Sequence, residues 1–261
     1  MTIDILFPVL NEHLRLEKGI RRTVQYLLDN RQLLEKEASF TLSIVDNGSD
    51  DDTPQIAQRL VEEFSALEGD YITVRYFRLE ERGVGIAFRK GVEECNSDIV
   101  GYMDIDLSTD IGYLYEMIKV FRDNPQIVYV NASRFSRDSE VSGRKWYRKI
   151  TSQGLLIILK SVLNMKSTDA ICGFTFVRKP EALRLVSECS NDNGWFYMIE
   201  FLLRAERDGM NILDMPVEWV EDYDTTVNVP KTIKNYLKNI YRLKREFDKE
   251  DAGYKGGIPT C

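Results

Sequence analysis

The stretch GYMDIDLSTD, residues 101–110, decides the reading of this chain. Ile99 to Met103 form a short apolar run of the kind a buried strand carries, and Asp104 and Asp106 follow with one residue between them. At a strand's period of two, both carboxylates face one side while Ile105 turns into the core. Two like charges so close repel, and one takes up a proton unless a cation lies near. A hard divalent cation relieves that repulsion, and Mg²⁺ in particular binds one or two carboxylates together with substrate phosphates. Ser108 adds a hydroxyl two residues on. The competing reading is a solvated loop with ordinary acidic residues, because a bare D-x-D is weak by itself.

Outward from this stretch the first half of the chain alternates. Ile3 to Val9, Phe40 to Val45, Tyr71 to Phe77 and Ile99 to Met103 read as strands, and Glu12 to Asn30, Thr53 to Phe64 and Gly85 to Cys95 as helices. Such alternation predicts βαβ units and an α/β fold with a mostly parallel central sheet flanked by helices. Ligands then sit at the carboxyl ends of the strands. PVLNE, DNGSDDDT and DIDLS all fall there. In the second half, Ile127 to Ala132, Gly173 to Val177 and Ile212 to Val220 read as strands, with helices over Trp146 to Leu163, Trp195 to Asp208 and Pro230 to Phe247. No internal repeat or low-complexity linker divides the chain, so residues 1–250 are expected to form one domain and 251–261 a disordered tail.

With 43% hydrophobic residues the 261-residue chain can bury a substantial core, and its net charge of −7 argues against a nucleic-acid partner. Cys95, Cys172, Cys189 and Cys261 lie far apart with no C-x-x-C pair, which predicts reduced thiols and a cytoplasmic protein. No signal peptide and no membrane span are expected, since no apolar run approaches the roughly 18 residues a span needs.

The other motifs have structural and chemical readings side by side. Asn47-Gly48 is a turn dipeptide and Thr53-Pro54 opens a helix, while Asp46 closes a strand where its carboxylate can accept hydrogen bonds from a base or ribose. Pro8 and Asn11 shape the loop after the first strand, and Glu12 adds an acceptor. Glu200 lies within an apolar helix and is either paired, with Arg204 at i+4, or functional. The lone His13 reads as a surface residue.

FPVLNE, IVDNGSDDDT, GVGIAFRKG, DIVGYMDIDLS and NASRF together resemble, in content and order, the motif series of family 2 glycosyltransferases. Within that family the chain is most similar to polyprenyl-phosphate sugar transferases, the dolichol-phosphate mannose and glucose synthases and their bacterial relatives. The likeness spans residues 3–247. It implies a GT-A (nucleotide-diphospho-sugar transferase) fold and inverting transfer from a UDP- or GDP-sugar, with Mg²⁺ or Mn²⁺ as cofactor. By the same resemblance, Pro8, Asn11, Glu12 and Asp46 hold the nucleotide. Asp104 meets the nucleotide region and Asp106 binds the metal, with Ser108 where some relatives supply a further ligand. Arg134, and Arg148 with Ser152, match positions that receive the diphosphate and the acceptor phosphate, a task that suits the arginine fork. Asp169 matches an aspartate that lies near the sugar, and Asp222 and Asp224 match an acidic pair. Val84 departs from the pattern, standing where many relatives carry lysine.

A lipid-phosphate acceptor is already ionised and needs no base, whereas a glycan hydroxyl would need Asp169 or Glu200 to take its proton. The segment GLLIILKSVLNM and the basic helix from Pro230 pair apolar faces with cations. They suit peripheral contact with the cytoplasmic face of a membrane, with core packing or a homodimer contact as the alternatives.

Overall fold

The computed structural model describes residues 1–67, 71–221 and 229–255, apart from the side chains of 229–231 and 254–255. Strands β1 (Thr2–Val9), β2 (Ser39–Asp46), β3 (Ile72–Arg78) and β4 (Ile99–Met103) alternate with helices α1 (Leu16–Asp29), α2 (Arg31–Leu34), α3 (Thr53–Phe64) and α4 (Val84–Glu94). There follow α5 (Tyr113–Asp123), β5 (Tyr129–Ser133), β6 (Glu140–Ser142), α6 (Trp146–Leu163), β7 (Phe174–Arg178) and α7 (Lys179–Glu188). The chain continues through α8 (Phe196–Arg207), β8 (Ile212–Pro216), β9 (Glu218–Val220) and α9 (Val229–Lys255). Residues 1–144 and 168–222 form one compact unit, and 145–167 with 223–261 a second.

In the first unit the sheet runs β3-β2-β1-β4-β7-β5-β8. β3, β2, β1 and β4 are mutually parallel, β7 is antiparallel to both β4 and β5, and β8 is parallel to β5. The sequence explains the placement. TIDILFPV is apolar almost throughout, as a strand covered on both faces must be, and it lies in the interior of the sheet. ITVRYFR alternates more and lies at the edge. Pro8 is tolerated because pairing to β4 ends at Leu6, so the missing N–H falls beyond that ladder. Helix α1 buries Leu16, Ile20, Val24 and Leu27, one stripe at helical spacing, in the core that also holds Ile3, Ile5, Leu42 and Ile44. Across the sheet, Phe88 of α4 packs edge-on to Phe201 of α8 at 5.0 Å between ring centroids.

Three boundaries differ from expectation. The run read as one strand over Ile212 to Val220 divides at Val217, whose N–H bonds the Ser133 carbonyl while its own carbonyl accepts from Glu140. Beyond it, β9 leaves the large sheet and pairs in parallel with β6. Helix α1 begins at Leu16, four residues after Glu12, because the Glu12 and His13 N–H groups are bound to the loop after β2. Helix α9 continues to Lys255, past the point where a tail was expected, and residues 256–261 lie outside the described set.

In the second unit α6 and α9 pack on each other. α6 buries Ser152, Leu156, Leu159 and Leu163, and α9 buries Ile240, Leu243 and Phe247. Trp146, Tyr147, Ile150 and Ile157 of α6 stay exposed, as do Ile233, Leu237 and Tyr241 of α9.

Candidate active site

The loops after β1 and β2 are stitched to one another. The Asn11 backbone N–H donates to Ser49 Oγ at 2.9 Å, and the Asn11 side chain exchanges two bonds with Asp50, at 2.7 and 2.9 Å. Glu12 N–H donates to Thr53 Oγ1. Asn11 adopts a left-handed φ of 57°, which asparagine tolerates better than most residues. Asp46 is fully buried; its Oδ1 accepts from Ser49 N–H at 2.8 Å and its Oδ2 from the Tyr76 hydroxyl at 3.0 Å. These residues therefore brace the two loops against each other. His13 sits on the surface against Asp51 at 2.6 Å. Val84 opens α4, where Gly85 N–H bonds the Asn193 carbonyl at 2.9 Å.

Asp104 and Asp106 come together by a different route from the one the sequence suggested. β4 ends at Met103, and a turn closed by Leu107 N–H on the Asp104 carbonyl, at 3.1 Å, carries both carboxylates. Strand periodicity is not what aligns them. Leu107 takes a left-handed φ of 54°, a strained setting for a leucine worth on the order of 1–3 kcal/mol. Ser108 N–H donates to Asp106 Oδ1 at 2.9 Å, so Ser108 meets its neighbour through the backbone. Ile105 is buried as expected, its carbonyl so close to Gly19 of α1 that no side chain fits there.

The Asp104 carboxylate rests directly on Gly173. A Cβ at that position would lie 1.8 Å from Oδ2. Sequence reading passed over this glycine, although a glycine wedged between Cys172 and Phe174 at a strand's start is a signal for close backbone approach. Among the described residues no hydrogen-bond donor reaches the Asp104 side chain. Burial first, and the charge of Asp106 second, push its ionisation up to about 7; Arg134 opposes the shift and Glu12 adds to it. Asp104, Asp106, Glu12 and Arg134 thus share one electrostatic neighbourhood. A notch of about 70 Å³ beside Asp106 is lined by the cationic Arg15, Lys18 and Arg22.

Arg134 follows β5. Ser133 Oγ turns the chain there by accepting from Phe135 and Ser136 N–H. The guanidinium is held by Asp169 in a fork, Nε to Oδ2 at 2.8 Å and Nη2 to Oδ1 at 3.1 Å. Asp169 also accepts from the Arg134 and Ile171 backbone N–H groups, at 3.1 and 3.0 Å, so four donors meet two buried oxygens. Burial works against the charge on Arg134, but Asp169 outweighs it and keeps the arginine ionised. Asn131 and Thr168 tie this loop to Asp214 of β8. Glu200 is likewise buried and engaged, by Ser190 at 3.0 and 2.6 Å and by Arg204 at 3.1 Å, so its paired reading is the one realised. Arg148 and Ser152 lie one turn apart at the start of α6 in the second unit. Asp222 and Asp224 lie outside the described residues.

No helix among the described residues is long and apolar enough to cross a membrane. Comparison with known proteins agrees with the geometry. Over 241 residues the chain is 30% identical to glycosyltransferase AglD of Haloferax volcanii, covering 92% of this chain but only 36% of that protein. It is 25% identical to dolichyl-phosphate β-glucosyltransferase ALG5D of Trichomonas vaginalis, covering 89% of this chain and 70% of the relative. Its fold is similar to glucosyl-3-phosphoglycerate synthase of Mycobacterium tuberculosis, solved with Mn²⁺, UDP-glucose and phosphoglyceric acid. That match has a TM-score of 0.64 at 16% identity and covers 93% of this chain and 79% of the other, which establishes a GT-A-like α/β fold. The sequence profile of "Glycosyl transferase family 2" matches residues 4–183, and the chain belongs to that family of glycosyltransferases.

Proposed function

We propose that this glycosyltransferase moves one sugar, with inversion, from a UDP- or GDP-sugar to a polyprenyl-phosphate-type acceptor, using Mg²⁺ or Mn²⁺. The observation that carries this reading is the Asp104–Asp106 pair, set beside the fixed guanidinium of Arg134 at the carboxyl end of the sheet. The residues fit a hard divalent cation. Two carboxylates lie on one turn, and desolvation together with the charge of Asp106 makes Asp104 resist ionising. Asp104 and Asp106 would hold the ion, with Ser108 as a third oxygen donor. When bound, it stabilises the negative charge that grows on the departing diphosphate. Pro8, Asn11, Glu12 and Asp46 frame the nucleotide. Asp169 fixes Arg134, which then presents its remaining N–H groups to phosphate oxygens without having to be ordered during the reaction.

The acceptor follows from what the carboxylates are doing. Asp169 and Glu200, the two acids available as bases from sequence, are both buried and each is bonded to an arginine. A phosphate nucleophile is already ionised at neutral pH and makes no demand on them, whereas a glycan hydroxyl does. The dolichyl-phosphate β-glucosyltransferases among the relatives support the same acceptor class. The Mn²⁺- and UDP-glucose-bound structural neighbour supports the donor and the ion. We assign Arg148 and Ser152 to the acceptor phosphate, and residues 1–250 to one working domain. Exposed Trp146, Tyr147 and Ile150 beside Lys145 and Lys149 give α6 the character of an interfacial helix. This supports peripheral contact at the cytoplasmic membrane face; a homodimer contact through α9 is the competing use of the exposed Leu237 and Tyr241.

The test is a screen of UDP- and GDP-sugars for binding and slow hydrolysis with Mg²⁺, Mn²⁺ or EDTA, run beside Asp106→Ala, followed by transfer assays with undecaprenyl phosphate and with free oligosaccharides. One donor turning over only with metal and Asp106, and transfer only to the lipid phosphate, is the expected result. Transfer to an oligosaccharide hydroxyl would replace the acceptor assignment. Donor binding indifferent to both metal and Asp106 would overturn the mechanism.

A further inference from the structure

The two-stranded ribbon of β6 and β9 looks unnecessary to the fold, since all three residues of β6 are exposed. Its position suggests a purpose. β9 is anchored to the Asp106 loop by Val220 N–H on the Ser108 carbonyl at 2.8 Å and by a bridge between Trp219 and Thr109. Trp219 packs against the core of the first unit. β6 runs alongside, and immediately beyond it the chain passes through Gly143 with a left-handed φ of 71° and delivers Arg144. A side chain at position 143 would be strained at that φ, so glycine is what allows the reversal.

Arg144 arrives on the same aromatic surface as Arg134. The Arg134 guanidinium carbon lies 5.7 Å from the Phe135 ring centre and 5.3 Å from that of Trp219. For Arg144 the corresponding distances are 5.4 and 5.5 Å. Two guanidiniums therefore share one pair of rings, and cation–π contact with both rings fixes their planes. Asp169 takes the Nε and Nη2 edge of Arg134, and among the described residues nothing accepts from Nη1. Planar guanidiniums brought together on one aromatic surface are what a phosphate with several equatorial oxygens needs.

We propose that Arg134 and Arg144, held on the Phe135–Trp219 platform, form a two-arginine clamp for a substrate phosphate group, with the β6–β9 ribbon serving to position Arg144. The clamp rests on the reading above that this site handles phosphates, and it adds Arg144, a residue that the motif series does not contain. Its ligand is a phosphate group, supplied either by the donor's diphosphate or by the acceptor's monophosphate.

The experiment is calorimetric titration of the full chain with inorganic pyrophosphate, uridine, UDP (with Mn²⁺) and farnesyl phosphate, using wild type, Arg144→Ala, Arg144→Lys and Trp219→Phe. Loss of one charged hydrogen-bonding contact is expected to weaken the phosphate ligand about tenfold to a hundredfold in Arg144→Ala. Arg144→Lys recovers only part of this, because an ammonium stacks and forks poorly. Uridine binding and the melting temperature stay unchanged, which a merely structural Arg144 would not allow. Weakened UDP with intact farnesyl phosphate assigns the clamp to the donor, and the reverse assigns it to the acceptor. A folded Arg144→Ala that binds every phosphorylated probe like wild type overturns the clamp. A wild type that binds pyrophosphate through Arg144 but neither UDP nor farnesyl phosphate keeps the clamp and defeats the functional reading. A wild type that binds none of the phosphorylated probes defeats both.

Discussion

Asp104, half-buried, follows β4 and the fully buried Asp169 precedes β7, its neighbour in the sheet, so two carboxylates stand at the ends of adjacent strands. Their surroundings are opposite. Asp169 collects four donors, two of them from a guanidinium. Asp104 has none on its side chain among the described residues, and its nearest strong influence after burial is the negative charge of Asp106. The same fold thus satisfies one acid and leaves the other beside a like charge. A satisfied acid holds something in place; an unsatisfied one beside a second acid is available for chemistry. Asp4, at the opposite end of the sheet, falls on the first side of this division, bonded to Ser43 and Arg75.

Substitution at each member should separate the two roles. Asp106→Ala is expected to reduce turnover about a hundredfold or more, the scale of removing one transition-state electrostatic contact, with the melting temperature unchanged or raised as Asp104 loses a repulsive neighbour. Asp169→Asn is expected to do the reverse in emphasis. It leaves Arg134 buried without its counter-charge and should cost about 3–5 kcal/mol in urea unfolding, with activity falling because Arg134 moves. An Asp169→Asn chain as stable as wild type would break the contrast drawn here.

The difference between the two acids also marks what sequence could reveal. Both sit in short motifs, and the D-x-D pair could be placed at a strand end because apolar runs and turn dipeptides are local signals. The parallel half of the sheet was legible for the same reason: TIDILFPV, SFTLSIVD and IVGYM are short runs bounded by turn-rich loops. The fork between Arg134 and Asp169 joins residues 35 apart, and the Asn131–Asp214 bond that supports it spans 83. No local pattern encodes such pairs. Helix α5 went unread because YLYEMIKVFRD mixes aromatic and β-branched residues that suit strands equally well. α7 was missed despite Pro180 in its first turn, a start signal that was present. The turn at Asp104–Leu107 was hidden for another reason. It depends on Leu107 accepting a left-handed backbone, which propensity argues against and only the surrounding packing can impose.

A pH titration sharpens the contrast further. In the metal-free chain the Asp104 carboxyl ionises only near 7, whereas in the unfolded chain it ionises near its ordinary value of 3.8. Between those values the folded state holds the extra proton, so stability declines as pH rises from about 4 to about 7. Differential scanning of the metal-free chain should show the midpoint falling through that window. Mn²⁺ or Mg²⁺ should flatten the slope by favouring the ionised pair, and Asp104→Asn should reduce it. Burial raises Asp4 and Glu188 in the same direction, so part of the decline remains in Asp104→Asn; a decline that the substitution leaves wholly unchanged would refute the assignment.

Gly173 is where the contrast becomes steric. Alanine there would place its Cβ 1.8 Å from Asp104 Oδ2, so the carboxylate or the strand must shift. Overpacking of this kind costs about 1–3 kcal/mol, and donor binding with Mn²⁺ should weaken along with it. His13 offers the control. It pairs with Asp51 across an exposed surface beside the loop after β1, yet it touches neither acid of the comparison. Exposed pairs are worth about 0–1 kcal/mol, so His13→Ala should move the unfolding midpoint only slightly and leave turnover within about twofold of wild type. A larger loss of activity in that variant, at unchanged stability, would mean that the rim of the pocket takes part in the chemistry, and the division between holding and reacting residues would have to be redrawn to include it.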